Sequence, residues 1–260
     1  MHRYRLTIEY DGSAFAGFQR QDGHETVQSR LEHAFAQLDS RPVTVHCAGR
    51  TDSGVHALGQ VIHVDLERHR PAWIVQNAVN HHVLPARISA LECFEARPEF
   101  DARRSAIGRS YRYRILNRRA PPALERGLVW HVATPLNADA MHEAAQHLVG
   151  KHDFSSFRAA QCQAKSPLKT LDRLDVSRHG DEIWIEAEAR SFLHNQIRIF
   201  AGTLKQVGDG KWTPRDVAKA LAAANREAAG PTAPPTGLCF MEVRYPSEAL
   251  LAPEDCLGEK

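Results

Sequence analysis

V-T-V-H-C-A-G-R-T-D-S-G-V-H-A-L-G-Q-V-I-H-V-D, residues 43–65, reads as two strands, Val43 to Cys47 and Leu58 to Asp65, joined by a glycine-flanked loop. Upstream, Leu6, Ile8 and Tyr10 alternate with polar residues up to the turn Asp11-Gly12. Thr26 is placed to cap a helix in which Val27, Leu31, Phe35 and Leu38 recur at helical spacing. Downstream, a short helix from about Ala72 to Asn80 and a strand from about Ile88 to Ala96 complete the order β-α-β-β-α-β, the ferredoxin-like unit.

The second half repeats that order. Arg109 to Asn117 is a strand, and Asn137 caps a helix that Leu136 and Met141 staple and Gly150 ends. Lys169 to Arg178 and Glu182 to Arg190 form a hairpin around His179-Gly180. A helix over Leu193 to Val207 buries Leu193, Ile197, Phe200, Ala201 and Leu204, and another starts at Thr213-Pro214. After the Pro-rich loop Gly230 to Gly237, Leu238 to Tyr245 is the last strand. The expected fold is α/β (α+β), two tandem ferredoxin-like or RRM-like units with antiparallel sheet and a central cleft. An N-terminal domain over 1–100 carries the loop, a C-terminal domain spans 105–246, and 247–260 is a tail.

Composition narrows the function. Of 260 residues, 43% are hydrophobic and 25% charged, an ordinary globular mix, and no apolar run reaches the ~20 residues of a membrane helix. Without a signal-peptide core the chain is expected in the cytoplasm. Five widely spaced cysteines argue against a disulfide framework or a structural zinc, and the 15 histidines form no H-E-x-x-H. Neither G-x-x-x-x-G-K-[ST] nor G-x-G-x-x-G occurs, so no nucleotide cofactor is expected. Net charge is only +2, but its distribution is uneven. Between Asp101 and Glu125 there are no acids, while Arg103, Arg104, Arg109, Arg112, Arg114, Arg118 and Arg119 all fall inside; Ala189 to Gly208 is likewise acid-free. Concentrated positive charge of this kind fits a face that grips phosphates.

The loop Ala48 to Ala57 fills a connection that the second half closes with a plain hairpin, and one-sided insertions of this kind tend to carry function. Gly49 and Gly54 permit close approach, Arg50 offers a planar cation, Thr51 a hydroxyl and Asp52 a carboxylate. By itself an Asp-Ser-Gly more often closes an Asx-turn. Three further segments change the balance. R-S-Y-R-Y-R, 109–114, puts Tyr111 and Tyr113 on one face of a strand and Arg112 and Arg114 on the other, a composition that suits stacking on bases and holding of phosphates. S-F-L-H-N-Q-I-R, 191–198, begins the long helix and sets His194, Arg198 and Lys205 on one flank. H-D-F-S-S-F-R, 152–158, with C-Q-A-K-S-P, 162–167, combines small polar residues, two aromatics and spaced cations, as expected of an RNA-contacting loop though the least diagnostic of the three.

Together, G-R-T-D-S-G-V-H-A (49–57), preceded by Y-D-G-S-A-F-A-G-F-Q-R-Q (10–21), resembles the signature of the tRNA pseudouridine synthases of the TruA type. F-D-A-R-R-S-A (100–106), R-S-Y-R-Y-R, H-D-F-S-S-F-R, F-L-H-N-Q-I-R and P-T-G-L (235–238) follow in the family's order, from Tyr10 to about Tyr245. Gln196-Ile197 and Asp101 depart from residues common in the family. R-L-D at 173–175, similar to the catalytic motif of another pseudouridine synthase family, is expected to be a surface acid on a hairpin strand.

The resemblance implies isomerisation of uridine to pseudouridine at positions 38, 39 and 40 of the tRNA anticodon stem-loop, without a cofactor, by a homodimer. Asp52 would be the nucleophile, Arg198 the cation that keeps it ionised, and Tyr111 the ring that stacks on uracil and helps remove the C5 proton. Leu238 would wall the base, and Arg50, Arg158 and the strip Arg103 to Arg119 would hold phosphates while the nucleotide is flipped out. Rival readings are a synthase acting on another RNA, a non-catalytic RNA-binding protein and a glycosidase. The RNA-binding protein lacks its aromatic strand motif, and a glycosidase needs a second carboxylate that the loop lacks.

Overall fold

The computed structural model describes residues 1–39 and 41–250 and divides the chain into two compact units. The first holds residues 1–108 and the chain from Phe240 onward; the second holds Arg109–Cys239.

In the first unit β1 (His2–Tyr10), α1 (Val27–Ala36), β2 (His46–Cys47), β3 (His56–Leu66), α2 (Ala72–His82) and β4 (Ile88–Ala96) follow in the expected order. The strands lie β4-β1-β3, with β2 antiparallel on β3. Leu6 and Ile8 of β1 and Leu31 and Phe35 of α1 are fully buried, so the alternate side chains of the strand meet the apolar stripe of the helix. Thr26 caps α1 in a capping box with Ser29. β2 is two residues long where the sequence predicts a strand from Val43. The reason is local: the Val45 N–H donates to the buried Glu32 carboxylate (3.0 Å) and its carbonyl accepts from Gln28 (3.2 Å). Side chains of α1 thus supply the partners that a neighbouring strand otherwise gives.

The second unit contains β5 (Gly108–Leu116, from Arg109), β6 (Trp130–His131), α3 (Ala138–Gln146), β7 (Gly150–Asp153), β8 (Leu168–His179), β9 (Glu182–Ala189), α4 (Gln196–Gly208) and α5 (Pro214–Ala222). Its strands run β5-β9-β8-β7, antiparallel throughout, with β6 parallel to the end of β5. The short strands β6 and β7 have no clear periodicity and were not expected. Asn137 caps α3 through the Ala140 N–H (3.0 Å), Thr213 and Asp216 form a capping box on α5, and Gly180 turns the β8–β9 hairpin at φ +60°. The long helix starts at Gln196, not Leu193: Asn195 is left-handed at φ +61°, and the Leu193 N–H donates to the Gln196 side chain (2.7 Å). His194 therefore lies outside the helix and off the flank that carries Arg198 and Lys205.

The last strand, β10 (Leu238–Arg244), is shared. Leu238 and Cys239 group with the second unit, but from Phe240 on the chain groups with the first, as do residues 105–108. The expected second domain runs over 105–246, where this grouping runs over Arg109–Cys239. The tie is visible near Arg244: its carbonyl accepts from Ile107 N–H (2.9 Å), and Tyr245 packs at a tilt against Phe100 at 5.2 Å and donates to the Ala102 carbonyl (2.6 Å). Ser247–Leu250 form a 3₁₀ turn, and the remainder of the expected tail, 251–260, lies outside the described residues.

Candidate active site

Asp52 sits in a loop that the first unit fastens at several points. After Cys47 the Ala48 N–H donates to the Val61 carbonyl (2.8 Å), the last ladder bond before the loop leaves the sheet. The Gly49 N–H then donates to Gln60 Oε1 (3.3 Å), while Gln60 Nε2 donates to the Gly49 carbonyl (2.6 Å). The buried Thr51 shares a hydroxyl–hydroxyl bond with Tyr10 (2.8 Å), and its carbonyl accepts from Phe18 N–H (3.0 Å). The Asp52 carbonyl accepts from Val55 N–H (3.1 Å), and with Gly54 at φ +77° this closes a tight turn around Ser53-Gly54. Asp52 itself is half-buried at the start of that turn.

The segment Tyr10 to Gln21 is a cradle for this loop. A Cβ on Gly12 would lie 2.0 Å from the Val55 carbonyl oxygen, and one on Gly17, at φ +103°, would lie 2.9 Å from the Thr51 carbonyl oxygen. The Gly12 N–H donates to His56 Nδ1 (3.1 Å). Asp11 Oδ1 lies 3.2 Å from the same nitrogen. Burial works to raise the Asp11 carboxyl, but bonds from Ser13 and from Arg87 (2.7 Å) outweigh it and bring it to about 2. Asp11 thus stays a fixed anion that ties the cradle to the start of β4.

Cations gather around the loop. Arg50 is exposed, and Arg103 and Arg104 are presented on an exposed turn whose N–H groups cap the Asp101 carboxylate (2.9 and 2.8 Å). His63 anchors that turn by accepting the Ala102 N–H (3.0 Å). Burial, with His46 stacked 4.8 Å away, pushes His63 down to about 4, which keeps it neutral for that bond. Burial pushes the Cys47 thiol up to about 12, against the pull of Arg50 and Arg103, which disfavours the thiolate.

In the second unit Tyr111 is buried edge-on against Phe192 (5.2 Å). The half-buried Arg198 donates from Nε to the Ala233 carbonyl (2.9 Å) and from Nη1 to Asn195 (2.8 Å). Tyr113 donates to the Pro234 carbonyl (2.7 Å), so Arg198 and Tyr113 together hold the loop that leads to the buried Leu238. Arg158 braces its own loop, donating to the Cys162 and Ala164 carbonyls (2.8 and 3.0 Å). The arginines of β5 are not spare phosphate ligands. Arg112 pairs with Glu186 (2.7 Å) and lies 4.0 Å over Trp184, while Arg114 pairs with Glu182 (2.6 Å) and Glu125. The acid-free window in the sequence is filled by acids that β9 brings opposite. Asp175 of the R-L-D triplet points outward and pairs with Arg173, as expected of a surface acid.

A family model described as tRNA pseudouridine synthase matches residues 6–103 and 144–246. The chain is 59% identical to the tRNA pseudouridine synthase A of Rhodospirillum centenum over 94% of this chain and all of that protein. It is 59% identical to that of Rhizobium meliloti over 94% of this chain, and 55% identical to that of Methylobacterium nodulans over 97%, in both cases across the relative's full length. This chain belongs to the tRNA pseudouridine synthase family. The synthase is an isomerase that converts uridine of tRNA to pseudouridine. Among its described residues no helix is long and apolar enough to cross a membrane. Sequence reasoning missed Tyr10 and Gln60 as fasteners of the synthase's loop. Gln60 left one faint signal, an amide inside the otherwise apolar run Val61-Ile62 and its neighbours.

Proposed function

We propose that Asp52 is the nucleophile of this synthase and that its targets are uridines 38, 39 and 40 of the tRNA anticodon stem-loop. The observation that carries the reading is the loop itself: Gly49, Thr51, Val55 and His56 are each bonded to or packed on the rest of the first unit, and Asp52 stands half-exposed at the turn between them. A carboxylate held in this way is oriented before substrate arrives, which is where much of the rate of an enzyme originates. The reaction breaks N1–C1′, turns the uracil and joins C5 to C1′; the C5 proton leaves and N1 gains one, so the product is an isomer.

In this reading Arg198 keeps the carboxylate ionised, Tyr111 stacks on the uracil and assists loss of the C5 proton, and Leu238 is an apolar wall. Arg50 contacts phosphate, as does Arg158 through the N–H groups not turned to its own loop. We also propose a cytoplasmic homodimer that needs no cofactor; sedimentation with and without tRNA checks the dimer. The main test uses C5-tritiated tRNA transcripts in which uridines 38, 39 and 40 are replaced one at a time by cytidine. Tritium release falls with each replacement if the target assignment is right, and release from a transcript lacking all three overturns it.

A further inference from the structure

We propose that Gln60 is a positioning residue of the synthase: its side-chain amide, joined at both ends to the Gly49 peptide, sets the direction in which Arg50 and Asp52 leave the sheet. The inference rests on Asp52 being the reactive group.

β2 pairs with β3 only through His46 and Cys47, opposite His63 and Ile62, and the Ala48–Val61 bond extends that ladder by one step. The next step is Gly49 opposite Gln60. There the Gln60 side chain takes over from backbone pairing. Its oxygen accepts the Gly49 N–H (3.3 Å) and its nitrogen donates to the Gly49 carbonyl (2.6 Å). Gln60 is 0% exposed, so water cannot replace either bond without entering the core. Gly59, immediately before it, is pressed against the Met241 carbonyl, where a Cβ would lie 2.3 Å away, so the backbone carrying Gln60 has little room to shift. A two-point amide bond fixes the plane of the Gly49 peptide, and that plane is the base from which the next three residues depart. Packing alone does not explain the choice of residue. A leucine fills similar volume, whereas only a planar group with one donor and one acceptor satisfies both atoms of Gly49.

The experiment compares Gln60→Leu and Gln60→Glu with the wild-type protein. Amide hydrogen exchange at Gly49 is measured together with kcat and KM for tritium release from tRNA. In Gln60→Leu the Gly49 amide exchanges at least ~10-fold faster, kcat falls ~30-fold and KM for tRNA stays within ~3-fold, because a shift of about 1 Å at a reacting group costs up to ~100-fold. In Gln60→Glu the ionised carboxylate cannot donate to the Gly49 carbonyl, whereas the protonated acid regains both bonds. The ratio of Gln60→Glu to wild-type kcat therefore rises as the pH is lowered from about 8 to about 5. A purely structural role changes the melting temperature without that pH-dependent ratio. A Gln60→Leu kcat within ~3-fold of wild type overturns the proposal, as does a ratio that is flat with pH. If Gln60→Leu fails to fold, the Gln60→Glu ratio decides alone. Gly49 exchange does not depend on the chemistry of Asp52, so retained activity in Asp52→Asn overturns the functional reading while leaving the Gly49–Gln60 measurement intact.

Discussion

The loop between β2 and β3 and the hairpin turn between β8 and β9 occupy corresponding places in the two units, and they are built in opposite ways. In the second unit the strands are closed by His179-Gly180, both exposed, with Gly180 at φ +60° and open space where its Cβ would be. His179 stacks on Trp184 of the adjoining strand at 4.0 Å, and little else is asked of the turn. In the first unit the same connection runs from Ala48 to Val55; Arg50 and Ser53 face water, but Thr51 within it and His56 and Gln60 on the strand that follows are buried. A turn that only reverses the chain can face water. The loop that carries Asp52 has its partners built into the core, and burial makes each of them costly to lose.

The largest break in that comparison comes from Asp52→Asn. It is expected to lower kcat for tritium release on the order of 1,000-fold or more, about 4 kcal/mol of barrier, while tRNA binding stays within ~3-fold. Activity close to wild type would remove Asp52 from its assigned place. Next comes pH. His63, which holds the turn of Arg103 and Arg104, is neutral in the folded chain down to about 4, against an ordinary value of 6.5. Between those values the unfolded chain binds a proton that the folded chain refuses, so stability is full above pH 6.5 and is lost as the pH falls toward 4. The loss is on the order of 3 kcal/mol. Urea midpoints at neutral and acid pH measure it, and His63→Gln should flatten the dependence. His179→Gln in the exposed hairpin should leave it unchanged.

A smaller effect is expected of Gly12→Ala, whose methyl collides with the Val55 carbonyl. About 2–3 kcal/mol of stability is lost, with kcat reduced as the loop is displaced. Unchanged kcat in a folded Gly12→Ala protein would show that the cradle does not hold Asp52 in place. The smallest is Gly180→Ala, which strains a left-handed position but meets no neighbour: about 1 kcal/mol of stability and no change in kcat. A loss of activity there would mean that the plain turn is not plain.

Much of the fold could be read from the sequence because each element carries its own period and its own stop. β4 falls on Ile88–Ala96 as the alternation predicts, and Thr26, Asn137 and Thr213 cap the helices they precede. The misreadings arise where a partner comes from far along the chain. β2 is short because Glu32 and Gln28, more than ten residues earlier, take the bonds of Val45. The end of β10 groups with the first unit because Tyr245 and Arg244 find Phe100, Ala102 and Ile107. The candidate site divides in the same way. Asp52 and its glycines announce themselves as a motif, but Gln60 looks like one more polar residue on a strand, since nothing in sequence shows that its amide faces a peptide eleven residues away.

The glutamates of β9 have a consequence for how tRNA is held. Affinity for a polyanion arises largely from cations released into solution when protein charges replace them on the phosphates, and each phosphate neutralised adds about 0.7–0.9 to the slope of log K against log salt. Arg112, Arg114 and Arg173 already have their counter-ions, supplied covalently within the chain as Glu182, Glu186 and Glu188. Held by those carboxylates, they do not replace cations on the phosphates. Binding should therefore be less sensitive to salt than the arginine content implies.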